Sequence, residues 1–111
     1  MDLVIQRSKW LCGDYENSML YRPKDGKMCC LGFLACTVGY SIESIDGHGT
    51  PAEVDIGEDY FPSTLVRNGE DTPLCSSLLK VNDNPDLTQS ARESILRDLF
   101  KTIDIQVCFI N

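Results

Sequence analysis

Eleven consecutive residues, Met28 to Val38 (MCCLGFLACTV), contain no charge and a single hydroxyl, and no other stretch constrains the fold as strongly. A segment apolar on every face must be buried, and eleven residues favour a helix over a strand. Gly39 follows as a natural C-terminal stop. Gly32 lies inside the block, where glycine costs about 1 kcal/mol relative to alanine in a helix. Its presence predicts that another backbone packs closely there.

The flanking sequence supplies further elements. Asp2 to Gln6 reads as a short strand, Trp10 and Leu11 as core anchors, and Ser18 to Arg22 as a second strand. Pro23-Lys24-Asp25-Gly26 is a turn, with proline presetting φ and glycine accepting positive φ. Ser41 caps a turn through Ile45, and Thr50-Pro51 opens another at Ala52 to Val54. Residues 55–72 read as mostly irregular. Thr72-Pro73 then starts a helix to about Val81, with Leu74, Leu78 and Leu79 on its apolar face. Asn82-Asp83-Asn84-Pro85 breaks the chain. Thr88 caps a longer amphipathic helix to about Thr102, burying Ala91, Ile95, Leu96, Leu99, Phe100 and Ile103 while Glu93, Arg97 and Lys101 face water. Asp104 to Ile110 alternates as a strand with Ile105, Val107 and Phe109 on one side. It is apolar on both sides, which predicts an interior position or pairing with the N-terminal strand. The expected fold is α+β: a small antiparallel sheet of N- and C-terminal strands, packed against a buried central helix and two C-terminal helices.

A chain of 111 residues is expected to form one domain, residues 1–111. Six cysteines in so short a sequence raise the question of a disulfide framework. Cys29 and Cys30 are adjacent, a strained arrangement for a bond, and most of the others lie in apolar runs. No CxxC pair occurs and His48 is the single histidine, so zinc lacks its usual ligand spacing. Reduced, buried thiols are the expectation, with no metal and no cofactor. The opening MDLVIQRSKW resembles neither a signal peptide nor a membrane span, and a cytoplasmic location in a bacterial host cell is expected.

The net charge of −7 is concentrated in the middle of the chain. Between Ser41 and Leu74 there are eight acids and one base, Arg67, whereas the two flanking parts are together neutral. Such a chain repels phosphate backbones, so direct nucleic-acid binding is not expected. A basic surface on another protein is the expected partner.

Four motifs invite a chemical reading. Cys29 or Cys30 at a helix start is placed for acidification by free N–H groups, but catalysis would require a base and only His48, between two glycines, is available. Core thiols are the preferred reading. Gly26-Lys27 before the same helix offers an anion site, although Tyr21 and Met28 depart from the phosphate-loop pattern. Asn82 to Asp86 has calcium-ligand residue types, but the register from Asp83 lacks both the glycine and the glutamate of an EF-hand loop. The register from Asn82, which supplies Glu93, begins with asparagine and lacks the glycine, so a polar breaker and helix cap is the preferred reading. The fourth is the acidic segment itself, with Glu53, Asp55, Glu58, Asp59, Glu70 and Asp71 as partner-binding candidates. Lys27, Cys29, Cys30, Asn82 and Asp83 form a second candidate group, a pocket at the helix start.

Trp10 with Gly13, Gly26-Lys27-Met28-Cys29-Cys30-Leu31-Gly32, and Leu78-Leu79-Lys80-Val81-Asn82-Asp83 before a helix together resemble a group of small phage and prophage proteins. The resemblance runs in order over most of the chain. It implies a phage or mobile-element origin, an accessory role in a bacterial cell, and a meeting of Cys30, Gly32, Asn82 and Asp83 in space. With the acidity and small size, it leads to an expected inhibitor of a host defence protein, such as an anti-CRISPR protein occluding a nucleic-acid-binding effector. The alternative is a small cysteine-dependent enzyme or nucleotide-binding protein using the Cys29/Cys30 helix start.

Overall fold

The computed structural model describes residues 1–54 and 60–111. The uncharged block forms helix α1, Cys30–Val38, with its first six residues buried. Gly39, at φ +120°, ends it by donating to the carbonyls of Ala35 and Cys36. At Gly32 the expected close approach is present. A Cβ there would lie 1.9 Å from the Leu20 carbonyl oxygen and 2.9 Å from the Met28 Cβ, so no other residue fits without displacing backbone.

Strand β1, Asp2–Gln6, pairs with β4, Gln106–Ile110. The fold is α+β, as expected, but the pairing is parallel rather than antiparallel. The Met1 ammonium donates to the Asp104 carbonyl, and Gln106 N–H donates to the Met1 carbonyl, so both strands start at the same end. A parallel pair requires a crossover of a dozen or more residues, which the intervening chain easily supplies. Leu3, Ile5 and Phe109 turn inward, whereas Val4 (50% exposed), Cys108 and Ile110 (42%) face outward. The C-terminal strand is therefore covered on one face only.

Two short helices follow α1. Helix α2, Ile42–Ile45, is capped by Ser41, and α3, Pro51–Val54, begins at its proline. The expected strand at Ser18–Arg22 is absent; its backbone contributes a lone bridge from Tyr21 to Asp46. Its groups are taken instead by loops, with Leu20 N–H donating to His48 O and Met19 O accepting from Cys29 N–H. Part of the stretch expected to be irregular is a hairpin, β2 (Val66–Arg67) against β3 (Glu70–Asp71). Its two-residue turn, Asn68-Gly69, has φ values of +55° and +77°. Asn-Gly is the favoured pair for such a turn.

Helix α4, Pro73–Asp83, and helix α5, Gln89–Lys101, complete the core. Thr72 and Thr88 cap them through their hydroxyl oxygens. Helix α4 extends past Val81, so Asn82 and Asp83 form its last turn, and Asn84 ends it before Pro85. The buried stripe of α5 differs from expectation. Glu93 is 6% exposed and lies in line with Leu96 and Phe100, whereas Ile95 is 36% exposed. Rotating the stripe in this way allows Glu93 to meet Arg7, which donates two hydrogen bonds to its carboxylate at 2.7 and 2.9 Å.

Candidate functional site

The last turn of α4 meets the first turn of α1 beside the segment Lys9–Leu11. That segment is fixed by backbone bonds from Met28 N–H to Lys9 O and from Leu11 N–H to Met28 O. Cys29 is the residue that caps α1, but its thiol makes no capping bond. A helix start leaves N–H donors without partners, and here one of them is satisfied from another element. Asn82 Oδ1 accepts from Cys30 N–H at 3.0 Å and from Trp10 Nε1–H at 2.8 Å. Asn82 Nδ2 donates to Leu11 O at 2.9 Å and to Asp83 Oδ1 at 2.8 Å. Two acceptances and two donations exhaust the amide's capacity. Asn82 is fully buried, and its own carbonyl accepts from Gly13 N–H.

Asp83 continues the network by accepting from Ser18 Oγ at 2.6 Å. Burial raises its pKa above the ordinary aspartate value, and the Ser18 and Asn82 hydrogen bonds pull in the opposite direction. Next to it, Arg92 reaches back from α5 to the carbonyls of Asn84 (2.7 Å) and Leu87 (3.1 Å), covering the end of α4. Its Nη1 also contacts Gln89 and the Cys12 sulfur.

Of the second candidate group, Cys30, Asn82 and Asp83 are joined by this network, and Cys29 lies fully buried beside it. Lys27 sits outside, in the turn before α1, where its N–H donates to Asp25. That turn is closed by its own ion pair, Arg22 to Asp25 at 2.6 Å, which holds the Asp25 carboxyl at about 2. The acidification expected for a thiol at a helix start is outweighed by burial. Cys29 is pushed up to about 12, and Cys30 well above the usual thiol range, in each case chiefly by desolvation. His48 lies on an exposed loop with its Nδ1 3.7 Å from Glu53 Oε2. Among the described residues no three His, Cys, Asp or Glu side chains converge as metal ligands. The arrangement is a polar knot tying three segments together: the Asn82 amide is fully paired, and beside it the buried Arg92 Nε has no hydrogen-bond partner among the described residues.

The acidic candidates divide differently. Asp55, Glu58 and Asp59 lie outside the described residues. Glu53 folds back to accept from Gly49 N–H (2.6 Å) and Thr50 N–H (3.4 Å) at the start of α3. Asp71 accepts from Ala52 N–H at 2.9 Å and from the Cys75 thiol at 3.6 Å. Both carboxylates therefore hold local structure. Glu70 remains exposed, as do Glu43 and Asp46, which the candidate set did not contain. These three side chains make no hydrogen bond or ion pair among the described residues.

The Asn82 knot is legible in one respect. Cys75, Leu78 and Asn82 follow the 3,4 spacing of one helix face, which carries Asn82 inward with its apolar neighbours. No helix among the described residues is long and apolar enough to cross a membrane. No protein-family model, curated protein or solved structure matches the chain.

Proposed function

We propose that this protein acts by binding another protein rather than by catalysis, presenting part of its acidic middle segment to a basic surface. One observation carries the reading. Glu43 and Asp46 are exposed without a Lys or Arg partner among the described residues, and Glu70 lies across the β2–β3 hairpin from Arg67 with no ion pair formed between them, while Arg7 and Arg97 face Glu93 and Arg22 pairs with Asp25. Uncompensated exposed charge contributes little to folding, but it steers association with a complementary surface. The burial of Cys29 and Cys30 weighs against the thiol-dependent alternative.

The resemblance to phage proteins gives this reading a setting: an accessory factor that occludes a basic, nucleic-acid-binding surface of a bacterial defence effector, as an anti-CRISPR protein would. The test is affinity capture from defence-carrying bacterial cells with the wild-type chain and with Glu43→Lys/Asp46→Lys/Glu70→Lys. A basic protein retained by the wild type, released by moderate salt and lost with the triple variant is the expected result. Capture of the same proteins by both chains, or of no basic protein, refutes it.

A further inference from the structure

Among the described residues, strand β4 has one neighbour and one free edge. In a parallel ladder, alternate residues direct both backbone groups to the same side. The bond from Gln106 N–H to the Met1 carbonyl sets the phase, so Gln106, Cys108 and Ile110 serve β1. Val107 and Phe109 therefore direct their N–H and C=O groups away from β1. An open row of this kind is a template for another strand.

Beside that edge lies a groove of about 250 Å³, walled by Arg97, Lys101, Ile105, Gln106 and Val107. No residue of β1 contributes to the wall, which places the groove on the free side of β4. Its two charged walls are both cationic, in a chain whose net charge is −7. Arg97 is only 3.6 Å from Glu93, a carboxylate already held by Arg7, and its guanidinium lies over the Phe109 ring. Lys101 is exposed and makes no ion pair among the described residues.

We propose that the β4 edge is a docking site for an extended acidic peptide segment of a partner, which adds as a further strand. Its backbone pairs with Val107 and Phe109, an apolar side chain covers the half-buried Val107 beside the already buried Ile105, and its carboxylates meet Arg97 and Lys101. Backbone pairing supplies affinity in such additions, and the flanking side chains select the sequence. A second copy of this chain fits less well, because two β4 edges meeting about a two-fold axis would bring their cationic rims together. The site is separate from the acidic surface and does not depend on the function proposed for it.

The test uses isotope-labelled full-length protein and a blocked pentapeptide of alternating glutamate and valine. Amide exchange at Val107 and Phe109 is expected to slow roughly tenfold or more at saturation. Lys101→Glu, a change at an exposed side chain, is expected to weaken binding by roughly tenfold, and added salt to do the same. The Glu43→Lys/Asp46→Lys/Glu70→Lys variant should bind the peptide as well as wild type. A peptide N-methylated at alternate residues should not protect the edge. Unchanged exchange at Val107 and Phe109 overturns the proposal. So does equal binding of a lysine-valine peptide, or protection that appears with protein concentration alone.

Discussion

Replacing Asn82 with alanine removes four hydrogen bonds at once. Three of the stranded groups, Trp10 Nε1–H, Cys30 N–H and Leu11 C=O, lie in residues no more than 5% exposed. Leaving a buried donor or acceptor without a partner costs about 1–3 kcal/mol. Taking the lower third of that range, about 1–1.7 kcal/mol, for each of three groups gives a loss of about 3–5 kcal/mol, a large share of the roughly 5–15 kcal/mol that holds a domain together. For a chain of this length that is a fall in Tm of about 12–20 °C. With a urea dependence near 1.5 kcal/mol/M, the midpoint should drop by about 2–3 M. Trp10 is the single tryptophan, so its fluorescence follows unfolding and its indole N–H gives one resonance. In the folded variant that proton should exchange much faster than in wild type. Asn82→Asp refines the test. It keeps acceptors for Trp10 and Cys30, loses both donors, and sets two carboxylates side by side. Its stability should fall as pH rises, because the folded state retains a proton that the unfolded chain releases. A loss below about 1.5 kcal/mol for Asn82→Ala, or an unchanged indole exchange rate, would show that the knot is not the tie described.

Gly32→Ala gains helix propensity of about 1 kcal/mol but drives a Cβ into the Leu20 carbonyl, so a net loss above about 2 kcal/mol is expected by urea denaturation. Asp83→Asn keeps an acceptor for Ser18 and removes a carboxylate whose pKa is raised by burial. A raised carboxylate destabilises the fold as pH climbs through its folded-state pKa, so the variant should exceed wild type in Tm at pH 7 and lose the advantage below pH about 4. Arg7→Met removes the guanidinium that holds the Glu93 carboxyl below its ordinary value. Its destabilisation should be present at neutral pH and fade as pH falls through that depressed pKa, seen as converging melting curves. With a thiol reagent at pH 7, exposed Cys108 should react first, and buried Cys29, Cys30 and Cys75 only on unfolding. Early labelling of Cys29 or Cys30 would revive the nucleophile reading.

Local signals carried much of the fold. The α1 block, its Gly39 stop, the Pro23–Gly26 turn and the caps at Ser41, Thr72 and Thr88 each depend on residues within a turn or two of one another. The hairpin at Asn68-Gly69 belongs with them, although the charge around it makes the segment read as irregular. Glu93 and Asn82 are harder. Their spacing from Leu96 and Phe100, or from Cys75 and Leu78, points them inward, while their polarity argues for water. Only a partner from elsewhere settles that conflict: Arg7 for one, Trp10 and α1 for the other.

The uncharged block from Met28 to Val38 determined by itself that this protein is built around a buried helix, because no solvated arrangement of those side chains is stable. What surrounds the helix start was decided by the tertiary structure. The parallel direction of β4 and the Asn82 tie both arise from contacts between segments far apart in sequence. Such contacts depend on which faces meet, and a single segment does not contain that information.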